Sequence, residues 1–159
     1  MISNFKFTKF TNKNLLKMFE TSHLHPMIVH FLIALITIGF LADLLSIFLK
    51  KEHCLSKVGF YLMILGALSA VAAYLTGEFF TGEMTGAAGE VKENHELFAK
   101  IAMFVIGIAS IIRIYLIIKK VEDGNLKWLV FALYAIAMIS VGIAGFLGGT
   151  LVYNYMMPL

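Results

Sequence analysis

Four apolar runs constrain this 159-residue chain more than any other feature: about residues 27–49, 58–80, 97–118 and 128–152. A bilayer hydrocarbon core takes roughly 20 residues of α-helix to cross, so each run is long enough to span it. Hydrophobic residues make up 60% of the chain and charged residues 14%, with a mean hydropathy of +0.86. A soluble domain of this size has too much surface for its volume to hide so much apolar area. The expected fold is therefore all-α. It is an integral membrane antiparallel four-helix bundle over residues 23–159, preceded by an N-terminal tail over residues 1–22. No internal repeat and no second domain is read.

Residues 1–22 hold lysines and phenylalanines but no continuous apolar stretch ahead of a small-residue cleavage site. No secretory signal peptide is read there, and the first span is expected to act as the targeting signal. The tail itself reads as an interfacial amphipathic segment, with Leu15, Leu16, Met18 and Phe19 set apart from Lys13, Lys17 and Glu20. Two links between spans are short (KKEHCLSK and KKVEDGN), whereas the middle one, TGEMTGAAGEVKEN, is longer and rich in glycine and acids. Lysine and arginine near span ends set orientation. Lys50, Lys51, Lys57, Arg113, Lys119, Lys120 and Lys127 lie on the side of the short links, against Lys92 and Lys100 on the other. The short links are thus expected in the cytoplasm and both termini outside, although Lys6, Lys9, Lys13 and Lys17 of the tail narrow the balance to seven against six. Cys54, the single cysteine, has no partner for an intramolecular disulfide.

Antiparallel threading brings the start of span one, the end of span two, the start of span three and the end of span four to one membrane face. The unusual residues collect there: HLHPMIVH, TGEFFTGEMTG, ENHE and GFLGGTLVYNY. His25, His30 and His95 are the candidate ligands of that face. Pro26 is tolerated in a first helical turn, where its missing N–H would be unbonded anyway. A five-residue step turns a regular helix to about 140°, so His25 and His30 do not easily serve one metal. Asp43 follows His25 by eighteen residues and Arg113 follows His95 by eighteen, about five full helical turns in each case. A lone charge at mid-membrane costs roughly 2.5–3.5 kcal/mol on insertion scales, so a structural ion pair of Asp43 with Arg113 is expected. That pair would set His25 and His95 at equal depth on facing sides of the bundle axis.

Imidazoles converging across a four-helix bundle suit b-type haem, whose iron takes one axial nitrogen from each side. Gly66, Ala70, Ala73 and Gly77 on span two, and Gly142, Gly145 and Gly149 on span four, form small-residue stripes. Such stripes admit either a flat macrocycle or, more commonly, a neighbouring helix. Two other readings of the histidines stay open. They could bind zinc or copper with Glu78, Glu83 or Glu96 as a carboxylate ligand, or they could anchor the bundle at the interface through hydrogen bonds. His23 and His53 read as solvated loop residues. Glu78, Glu83, Glu90, Glu93 and Glu96 surround the histidine face, most simply as a solvated acidic loop. Trp128, Tyr153 and Tyr155 sit where amphipathic rings favour the interface. No nucleophile–base pair, phosphate-binding loop or nucleic-acid motif stands out. The net charge of +3 is accounted for by lysines at span ends rather than by a basic patch.

HPMIVHFLIAL, the Thr76–Gly77 pair, a histidine opening span three, an arginine near its end, and GFLGGTLVY closing span four resemble a known group. These are the bacterial four-helix membrane proteins of domain-of-unknown-function family 2231. The likeness runs from about His25 to Tyr153. Leu32 stands where that family usually has proline, and Asn154, Tyr155 and Met156 stand where it tends to have a glycine and often a further histidine. The resemblance implies a multi-pass protein of the bacterial inner membrane. Because such proteins sometimes lie beside redox domains, it also implies electron transfer. The expected function is a small b-type cytochrome with one haem b near the outer face, passing electrons between quinone and an outer redox partner. His95 would be one axial ligand, with His25 or His30 opposite. The alternative is a non-catalytic membrane subunit or a zinc- or copper-binding accessory protein. The oligomeric state, a homo-oligomer included, is left open.

Overall fold

Within a bilayer a backbone N–H or C=O without a partner costs several kcal/mol, so apolar runs of this length satisfy their backbone groups internally, as α-helices. The computed structural model describes residues 24–49, 53–120 and 124–155. The tail of residues 1–22 and His23 lie outside the described residues. Four helices follow in order: α1 (Leu24–Phe48), α2 (His53–Phe80), α3 (Ala87–Lys119) and α4 (Asn125–Tyr155). All four are long and apolar enough to cross a membrane. No strand occurs among the described residues.

All four helices begin ahead of their apolar runs, α3 and α2 by the most. α3 starts at Ala87, ten residues ahead of the run at 97, so most of the expected middle loop is helix and His95 lies about two turns inside α3 rather than at its opening. Polar residues sustain this extension. Glu90 lies in the first turn, where a negative charge favours the helix dipole. Glu96 lies four residues from both Lys92 and Lys100, at 3.4 and 3.7 Å. Gly86, at φ 67°, makes the left-handed entry that only glycine adopts freely. At 33 residues, α3 is about 50 Å long, against a hydrocarbon thickness of about 30 Å. Part of it must therefore stand outside the apolar layer. α2 likewise starts at His53, so His53 and the exposed Cys54 belong to its first turn and not to a loop.

Each helix is apolar on all sides, so the buried face is marked by residue size and by polar groups. On α1, Leu32, Leu35, Ile36, Gly39, Phe40 and Asp43 face inward at helical spacing. Phe31, Ile38, Leu41 and Leu45 face outward. α1 packs chiefly on α2, and α3 on α4. The two hairpins meet less extensively through α2 with α3 and α1 with α4. α1 and α3 are thus diagonal across the bundle. Ile36, Met63, Ile106, Val130 and Tyr134 are fully buried and fill its middle.

Beyond that apolar middle, Asp43 and Arg113 meet across the diagonal. Arg113 Nη2 donates to Asp43 Oδ1 at 2.8 Å while Nη1 donates to Oδ2. Nη2 also reaches the Ser56 carbonyl and hydroxyl on α2, at 3.1 and 3.0 Å. A bidentate arginine–carboxylate pair, with Ser56 oxygens as further acceptors for Nη2, is the kind of arrangement that a buried charge needs. Gly59 lets the carboxylate in, because a side chain there would overlap Asp43.

Candidate functional site

At the opposite end of the bundle a cavity of about 320 Å³ opens between the two hairpins, within the size range of small-molecule sites. His25 on α1 and His95 on α3 enter it from diagonal helices. Their ring centres are 6.5 Å apart and their planes lie 82° to one another. The walls are mostly small and apolar, with Ala70 and Ala73 on α2 and Ala144 and Gly145 on α4.

The protonation pattern of the two rings follows from their partners. His95 Nδ1 lies 2.8 Å from the carbonyl of Ala144, which can only accept, so Nδ1 carries the proton. His25 Nδ1 lies 3.1 Å from Thr76 Oγ1. The single hydroxyl proton of Thr76 is directed at its own helix, to the carbonyls of Ala72 and Ala73 at 2.9 and 3.1 Å. Oγ1 therefore accepts from His25, and Nδ1 is again the protonated nitrogen. In the neutral form both rings thus leave Nε2 with a bare lone pair. Ring orientation fixed by an N–H to a backbone or side-chain oxygen is the usual support for a metal-ligating imidazole.

Two glycines make this placement feasible. A Cβ at Gly77 would come within 3.0 Å of His25 Cε1, and one at Gly148 within 3.2 Å of His95 Cε1. Gly148 lies four residues after Ala144, so its missing side chain bares the carbonyl that anchors His95. The hairpins repeat the device: 52 residues separate His25 from Gly77 and 53 separate His95 from Gly148. This correspondence, absent from any run of similar residues, is a repeat of geometry that the linear sequence does not display. Gly66 and Gly145 have a different job, seating Ile36 and Ile33 of α1. Gly142 and Gly149 have no neighbour within 4 Å of a Cβ position.

The third candidate histidine stands apart from this pair. His30 is exposed on α1, and its Nδ1 donates to the Pro26 carbonyl at 2.6 Å, within its own helix. It contributes to the cavity lining. Among the described residues no group of three His, Cys, Asp or Glu is gathered as a metal site, so Glu78, Glu83 and Glu96 do not join the histidines as ligands. The ionic residues of the cavity mouth include Lys92, a residue that sequence reasoning assigned only to topology. Its side chain is 11% exposed, three residues before His95 on α3. Its position was detectable only as an i, i+3 relation to His95 within a helix that hydropathy did not extend so far.

The family model for the predicted membrane proteins DUF2231 matches residues 21–158. The chain belongs to this family. The match takes in all four helices and the three histidines that line the cavity. No curated protein and no solved structure matches the chain.

Proposed function

We propose that this DUF2231 protein is a b-type haem protein of the membrane, with His25 and His95 as axial ligands. The observation that carries the reading is the 6.5 Å between ring centres, joined to the engagement of both Nδ1 atoms by protein oxygens. Imidazole nitrogens sit about 2 Å from a bound metal and roughly 1 Å from their own ring centre. Two rings on one iron therefore have centres roughly 6 Å apart. Zinc or copper held by protein ligands alone ordinarily draws on three or four, which the gathered residues do not supply. Two imidazoles do suffice for haem. This favours His25 over His30 opposite His95.

His25 and His95 would hold the haem, which would supply one-electron transfer. The chain's own residues do the rest. Thr76 and the Ala144 carbonyl fix the tautomers and aim the rings, and their hydrogen bonds raise the basicity of Nε2. The small apolar walls, Ala70, Ala73, Ala144 and Gly145, would face the macrocycle. Ile36, Met63 and Ile106 separate it from the ion pair below. On the lysine balance of the links, this reading sets the site near the outer face, where it would pass electrons between the quinone pool and an outer redox protein.

Purified in mild detergent from haem-replete cells, the protein is expected to show a sharp Soret band that shifts on dithionite reduction. His25→Ala and His95→Ala should each lose the pigment, and His30→Ala should retain it. A colourless wild-type protein that takes up no added haem would overturn the reading. Zinc or copper found by elemental analysis in that case would establish the accessory-protein alternative.

A further inference from the structure

Lys92 is a lysine in an unusual place. Lysine is almost never fully buried unless paired, yet this side chain is 11% exposed in the mouth of the histidine cavity. Its carboxylate neighbours are weak partners. Glu96 Oε1 is 3.4 Å away and Glu83 Oε2 is 3.7 Å away, whereas a charge-assisted ammonium–carboxylate hydrogen bond is about 2.7–2.9 Å. Glu83 is 97% exposed and so remains hydrated. Glu96 is shared, since its other oxygen lies 3.7 Å from Lys100. Lys92 is the more buried of the two lysines on Glu96, at 11% against 44%, neither of its contacts is a full hydrogen bond, and an ammonium has three donors to place.

We infer that Lys92 is the anchoring post for a carboxylate of the cavity's guest, so that the site selects an apolar plate bearing acidic side groups. This rests on the haem reading of the site, and haem b is such a plate. Lys92 lies on the same face of α3 as His95 and about one turn away. A guest ligated at His95 would thus present its carboxylates to the ammonium, displacing the long contacts to Glu83 and Glu96. The lysine is a positioning residue, acting on the guest's periphery and not on its iron.

The test compares haem with haem dimethyl ester, which keeps the iron and the macrocycle but has no free carboxylate. Binding is followed by Soret titration of the apoprotein in detergent. Wild type is expected to prefer the free acid by about tenfold or more, the worth of a hydrogen bond to a charged group. Lys92→Gln should bring that ratio close to one, Lys92→Arg should keep much of it, and Lys57→Gln, exposed at the opposite end of the bundle, should leave it unchanged. Glu83→Gln should preserve the preference, whereas a role confined to tethering the loop at Glu83 would make it behave like Lys92→Gln. Equal affinity of wild type for the acid and the ester would overturn the inference and leave the haem reading standing. That comparison requires no variant to fold. Failure of wild type to bind either compound would overturn both.

Discussion

Asp43 and Arg113 show how one pair of residues can set the depth of a bundle. Alone, either would be a buried charge without a partner. Together with Ser56 they tie α1, α2 and α3 at one level. Asp43→Ala is expected to destabilise the protein by about 3–5 kcal/mol, because it leaves the Arg113 charge uncompensated. Adding Arg113→Ala should restore part of the loss, as unfolding in detergent and denaturant would measure. Additive losses would show that the contact carries no coupling. The pair was legible in the sequence from two charges in apolar runs, each eighteen residues after a histidine. Ser56 and the Gly59 gap were not legible, since neither a serine nor a glycine at a span's start is unusual by itself.

At the scale of the element, the glycines divide by what faces them. Gly148→Ala would press a methyl group on His95, at 3.2 Å from Cε1, while Gly142→Ala meets open space away from the cavity lining. The first should perturb the site and the second should not, although both are glycines of α4. Haem content and Soret position, compared between the two variants, would reveal this. Equal behaviour would mean that His95 does not rest on Gly148. Thr76→Val removes the acceptor of His25 Nδ1 and is expected to weaken haem binding about 10–100-fold, the usual cost of losing a ligand's supporting hydrogen bond. Unchanged affinity would argue against ligation through His25. The glycine stripes were visible in the sequence, but their roles were not. Gly77 seats a functional ring, Gly66 seats Ile36, and Gly148 fell outside the stripe as read.

The whole molecule is two close-packed hairpins joined across a less extensive interface, and that interface holds both the cavity and the ion pair. The cavity lies where small residues of α2 and α4 (Ala70, Ala73, Ala144 and Gly145) line one end, while the ion pair and the apolar middle hold the hairpins at the other. Residues 1–82 and 83–159, expressed together as separate chains, are expected to co-purify. Asp43→Ala should reduce that association strongly. Persistent association in the variant would place the holding force in the apolar middle alone.

By itself the sequence determined the membrane setting, the number of helices, their antiparallel order and the common depth of His25 and His95. These follow from local quantities: the length of apolar runs and the period of the helix. Only the tertiary structure decided how each helix turns about its own axis. It aimed His25 at His95 and left His30 exposed and bonded within its own helix, chose Gly77 and Gly148 as ring seats, carried α3 back to Ala87 and buried Lys92. The physical reason is that a helix apolar on every side has no amphipathic face to fix its rotation. That rotation is set by which small residues and polar partners the neighbouring helices offer.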